Sequence, residues 1–190
     1  MKRMLAVILI IVMAVPAVAL AADYSPSLGM KMSDYILKYN ALQAPLGSPY
    51  VLLDADKPEL WTTFNEYSCA WFSPESEKKI TVLLLSKDPE YGKSTEKGLD
   101  MIQIFTPTAD GFIPLISIAT RCSEPFATDL FGESLASYSI GSIIRYYYEN
   151  GAEEKGLVAY NQMNASTDIV ISFFKSSGYY FQISKMEDEQ

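Results

Sequence analysis

The chain has no histidine, which removes His-based triads, HExxH zinc sites and imidazole general bases from consideration. Carboxylates, hydroxyls, lysines and two thiols are left to do chemistry. The densest acids in one turn are Asp54 and Asp56, with Glu59 close by. Alternate aspartates ligate calcium when the loop also carries a glycine at its sixth position and a glutamate at its twelfth. Neither is present, and Asp and Pro are ordinary turn residues, so a solvated turn is the better reading. Ser76-Glu77-Lys78-Lys79 has the Ser-x-x-Lys spacing but lacks the Ser-Asp-Asn and Lys-Thr-Gly partners that the chemistry needs. Gly92-Lys93-Ser94-Thr95 resembles the end of a phosphate loop, yet Lys87 stands where the first glycine belongs. Glu66, Asp100, Asp110 and Glu133 are candidates for a carboxylate dyad, which requires a separation of about 5 to 9.5 Å that only a fold can set. No catalytic residue, metal ligand or cofactor is assigned.

Binding chemistry has better candidates. Trp61, Tyr67 and Trp71 fall on one alternating face if residues 61–72 form a single strand, where they would make an aromatic platform for a protein or a sugar. The same rings are also common filling for a sheet–helix core.

The first residues bear on compartment. Lys2-Arg3 precedes an uncharged apolar run from Met4 to Leu20, and Ala19-Leu20-Ala21 provides small residues at the −3 and −1 positions. This predicts a signal peptide over 1–21 and an exported, periplasmic or secreted domain over 22–190. No second apolar span follows, so no stable membrane span is expected after cleavage. In an oxidising compartment Cys69 and Cys122, the only two cysteines, are expected to pair. Such a bond closes a loop of about 54 residues and contributes about 4 kcal/mol in the chain-entropy model.

Net charge is −8, and the leader holds two bases and no acid, so the remainder is more acidic still. That balance argues against nucleic-acid binding, which needs a basic footprint. The expected partner is an envelope or extracellular protein or a glycan.

The elements that must position these residues are legible as periodicities. Asp23–Gly29 reads as a loose lead-in. Met32, Tyr35, Ile36, Tyr39 and Leu42 form one helical stripe, ended by Ala44-Pro45-Leu46-Gly47. Strands are expected at Tyr50–Leu53, Trp61–Phe72, Ile80–Leu85 and Met101–Phe105, with a charged loop over Lys87–Gly98. Phe112, Leu115, Ile116, Ala119 and Cys122 fit a helix, with a strand as its rival because Ile113, Ile116 and Ile118 are β-branched. Ala136, Ile140, Ile143, Ile144 and Tyr147 give the next helix, closed by Asn150-Gly151. Leu157–Met163, Asp168–Phe174 and Tyr179–Ser184 read as a three-strand meander.

The order α-ββββ-αα-βββ predicts an α+β fold: an antiparallel sheet with its helices packed on one face. The helix-then-strands pattern recurs over 30–106 and 111–185, which makes a divergent internal repeat an alternative description of the domain. The functional expectation is an exported, non-catalytic binding domain. The alternatives are an inhibitor-type module presenting Lys87–Gly98 to an enzyme, and a small carboxylate-dependent hydrolase.

Overall fold

Among the described residues, alternation and helical periodicity resolve into three helices and a seven-stranded antiparallel sheet. The computed structural model describes residues 24–43, 53, 58, 60–64, 67–73, 79–89, 92–126, 136–151, 159–162 and 168–186. The predicted leader, the Asp54/Asp56 turn, Glu59, Glu66, Ser76 and Glu133 lie outside them.

Helix α1 spans Met32–Gln43, α2 Phe112–Ser123 and α3 Ala136–Glu149. The strands are β1 Leu60–Phe64, β2 Tyr67–Phe72, β3 Thr81–Ser86, β4 Met101–Thr106, β5 Ala159–Gln162, β6 Ile169–Lys175 and β7 Tyr179–Lys185. In the sheet they run β1-β2-β3-β4-β7-β6-β5, every neighbour antiparallel. The chain is therefore α+β, in the expected order of elements. The first strand is the exception. Tyr50–Leu52 lie outside the described residues, and Leu53 is not in a strand. Its N–H and C=O are held instead by the Asn40 side chain, at 2.9 and 3.0 Å. The count of four strands before α2 is restored because residues 60–72 form two strands rather than one.

One face of the sheet carries the core. Ala70, Phe72, Val82, Leu84, Ile102, Ile104, Ile171, Phe173, Phe181 and Ile183 alternate inward along their strands and meet buried residues from all three helices. Each such aliphatic side chain, fully removed from water, contributes about 1.5–3 kcal/mol. The isoleucines of α2 do not make it a strand, because Leu115, Ile118, Ala119 and Cys122 bury together at helical spacing. In α1 the buried stripe ends at Gln43, and Leu42 is 43% exposed. Eleven residues close three turns of helix, so Gln43 lies almost in line with Met32 while Leu42 is rotated well away. The buried amide is satisfied: Arg121 donates to its oxygen at 3.0 Å, and it donates to Glu124 at 3.1 Å. Helix α3 ends as expected, with Gly151 at φ +59°.

The lead-in is not loose. Residues 28–33 run alongside 95–99, with Leu28 and Met32 donating to the carbonyls of Leu99 and Lys97, and Leu99 donating to that of Met30. Asp100, buried at 4% exposure, holds this seam. Its carboxylate accepts from the Tyr24 hydroxyl (2.7 Å), the Ser27 N–H and hydroxyl (2.8 and 2.9 Å) and the Lys87 N–H (2.6 Å). A buried carboxylate so fully bonded fixes both the N-terminal segment and the start of the β3–β4 loop.

Candidate functional site

The aromatic residues singled out by alternation do not share a face. Residues 65 and 66 separate β1 from β2, and the register pairs Trp61 with Ala70 and Phe64 with Tyr67. Directly opposed residues in an antiparallel pair point to the same side. Trp61 therefore joins Ala70 on the helix side, where it packs against the main core. Tyr67 and Trp71 stay together on the other side, with Cys69 between them. The expectation of a three-ring platform is corrected for a simple reason. A two-residue connection makes odd positions in one strand oppose even positions in the next, so a periodicity counted straight through the turn assigns Trp61 to the wrong side.

The second side of the sheet receives no residue from any described helix. Cys69, Leu83 and Leu85 are buried there against Tyr67, Trp71, Met101 and Phe105. Next to them lies a cross-strand aromatic row in strict register: Phe105 opposes Tyr180, and Tyr180 opposes Phe174. Their centroids are 5.5 and 5.0 Å apart, with the rings 17° and 2° from parallel. Trp71 closes the row by meeting Phe105 edge-on at 6.3 Å and 86°. A polar row, Gln103–Gln182–Ser172, runs beside it. All four rings are half-buried. The Trp71 Nε1–H is buried and has no acceptor among the described residues, an arrangement that costs about 1–3 kcal/mol. At the far edge the Lys87 ammonium stands 5.0 Å above the Tyr67 ring, a cation–π contact.

Phe105, Tyr180 and Phe174 were not singled out from sequence, though a signal exists. Gln103, Gln182 and Ser172 interrupt otherwise apolar strands, and a polar residue inside a strand marks its outward side. The aromatic two positions away shares that side.

The expected Cys69–Cys122 disulfide is not formed. Cys69 sits on the helix-free face and Cys122 in α2, inside the core on the opposite face, so the sheet itself stands between them. Cys122 is fully buried, and desolvation pushes its thiol up to about 12, which leaves it protonated and unreactive at neutral pH. Burial likewise raises the neighbouring Tyr35 and Tyr39 hydroxyls. Tyr35 donates to the Cys122 carbonyl at 3.0 Å.

The remaining candidates are dispersed. Asp100 is saturated as described. Asp110 is exposed, and its bond with Lys79 holds its carboxyl below the usual range. Gly92-Lys93-Ser94-Thr95 lies in the β3–β4 loop with Gly92 at φ +54° and no helix following it, so it is not a strand-to-helix phosphate loop. That loop is only partly exposed: Asp88, Lys97 and Gly98 are buried, while Lys87, Pro89, Gly92, Lys93 and Glu96 face solvent. Among the described residues no helix is long and apolar enough to cross a membrane.

No family model matches the sequence, and no curated protein or solved structure shows significant similarity to it.

Proposed function

We propose that this chain is an exported, non-catalytic interaction domain that takes a protein partner on the helix-free face of its sheet. The leader pattern of residues 1–21 supports export. The observation that carries the reading is the aromatic row Trp71–Phe105–Tyr180–Phe174 across four strands. A face that served only stability would be covered or polar, whereas rings and aliphatic side chains gathered on a side that no described helix covers suit association.

The ring geometry favours protein over glycan. Phe105, Tyr180 and Phe174 stack face to face along the row, so they turn their edges outward. A sugar needs an open ring face for its C–H groups, while aliphatic and aromatic side chains pack well against edges. Against the inhibitor alternative, Lys97–Asp100 of the β3–β4 loop is bound to the N-terminal segment rather than presented.

The test is native mass spectrometry of the chain isolated from its own organism's envelope and medium, compared with a Phe105→Ser/Tyr180→Ser variant of unchanged circular dichroism. A bound protein present with the wild type and lost with the variant is expected. A protein retained equally by both, or a bare monomer throughout, would overturn the reading.

A further inference from the structure

The strands place no charge on the helix-free face. The chain holds 23 acids and 15 bases, yet strands β1 to β5 contain neither. The two strand charges are Lys175 at the end of β6 and Lys185 at the end of β7. The register pairs Lys175 with Tyr179 and Lys185 with Ile169, and both partners pack against the main core. Opposed residues share a side, so both lysines belong to the helix side. Polar groups on the other side include the amides of Gln103 and Gln182 and the hydroxyls of Ser172 and Ser184. Lys87 follows β3 and stands at the margin, over Tyr67.

An uncharged face on an acidic chain narrows the kind of protein it takes. A partner chosen by charge needs acids set against its own bases, and no strand residue on this side offers one. Two copies of a chain with net charge −8 repel one another, and they meet at least cost where neither brings a charge. A second copy also brings the same amides. Each amide both donates and accepts, so Gln103 and Gln182 can be answered by their own kind. The seven strands span about 29 Å across the sheet and about 20 Å along it. Two copies face to face cover on the order of 1,200 Å², the lower end of a standard stable interface.

We propose that the helix-free faces of two copies of this chain pack against each other, giving a two-fold dimer with its sheets stacked at the centre and its helices outside. The proposal rests on the reading of that face as a protein-docking surface and names the occupant. Sheets packed in this way lie about 10 Å apart, and the same patch serves both copies. Gln103 lies in β4, the central strand of the seven, so a centred two-fold axis brings it near its own counterpart.

The test is sedimentation equilibrium of the purified chain over a range of concentration and salt, with native mass spectrometry of mixed variants. A dimer is expected, and it should tighten as salt screens the net charge. Gln103→Glu sets like charges against each other at the centre of the interface and should weaken the dimer about tenfold or more. Gln103→Lys should do the same. Mixing the two variants should restore a heterodimer about tenfold tighter than either homodimer, a rescue that misfolding of one variant could not produce. Leu37→Glu/Ile113→Glu, at exposed positions of α1 and α2, should leave the dimer unchanged. A monomer at every concentration, with a different protein bound and lost on Phe105→Ser/Tyr180→Ser, would overturn self-association and keep the docking surface. A monomer with no bound protein would overturn both. A dimer that weakens with salt, ignores both Gln103 variants, or is lost in the Leu37/Ile113 variant would equally overturn the proposal.

Discussion

Trp61 and Trp71 stand on opposite faces of one sheet: Trp61 is registered against Ala70, and Trp71 is the next residue along β2. The two indoles consequently report on different surroundings. Trp61 lines a cleft with Lys93 and Lys97, whereas Trp71 meets Phe105 and the helix-free face. In a Trp71→Phe variant at low salt, iodide should quench the remaining emission more efficiently than caesium, because positive potential concentrates the anion. In Trp61→Phe the bias should shrink or vanish. Equal iodide preference in both variants would contradict the separation.

Asp100 ties the N-terminal segment to the β3–β4 loop by accepting from Tyr24, Ser27 and Lys87. Asp100→Ala strands those donors, so a loss of about 3 kcal/mol in urea denaturation is expected. Hydrogen exchange should localise part of the effect. The amides of Leu28 and Met32, bonded to Leu99 and Lys97, should lose protection before those of β3. Uniform loss across the sheet would mean that Asp100 acts globally rather than on this seam.

Glycine-to-alanine changes should have opposite signs at two positions. A Cβ on Gly178 would stand 2.4 Å from the Thr106 carbonyl oxygen and 3.0 Å from the Pro107 Cα. Backbone atoms cannot yield as a flexible side chain does, so Gly178→Ala should cost about 2 kcal/mol. Gly141, exposed within α3, has nothing within 4 Å of its added Cβ and no left-handed backbone. Gly141→Ala should stabilise by about 0.5–1 kcal/mol through helix propensity. Thermal melts of the two variants decide both.

The two thiols should remain unpaired after purification, so alkylation in guanidine without reductant should modify both cysteines. A mass two hydrogens light would contradict the separation of Cys69 from Cys122. The buried thiol also sets an alkaline limit. Cys122 titrates near 9 when unfolded and about 12 when folded, and Tyr35 and Tyr39 are raised in the same sense. Above about pH 9 the unfolded chain therefore holds fewer protons than the folded one, and stability falls as pH rises. The slope is about 1.4 kcal/mol per pH unit for each group; these groups add no pH dependence below that window. Urea midpoints from pH 8 to 11 should show this fall, and Cys122→Ala should reduce its slope.

The helices were legible because their stripes are local. Met32, Tyr35, Ile36 and Tyr39 bury together at the spacing one turn imposes. Leu42 was misplaced because its hydrophobicity outweighed its angle, while Gln43 at the better angle is buried through its hydrogen bonds to Arg121 and Glu124. The lead-in looked loose because its partners, residues 95–100, lie some seventy positions away. No local pattern announces such a pairing.

What the sequence determined by itself is the order of elements and, within each strand, which residues alternate: both follow from backbone geometry over a few residues. Gln103 and Gln182 marked the outward side of their strands, and Phe105 and Tyr180 share it by period two. Only the tertiary structure decided that Trp61 and Trp71 part company, that the sheet separates Cys69 from Cys122, and that Lys97 and Trp61 line one cleft. Each of these depends on a register or a loop closure between distant residues. Alternation assigns a residue to one of two sides, but the side that receives the helices is settled by packing across the whole chain.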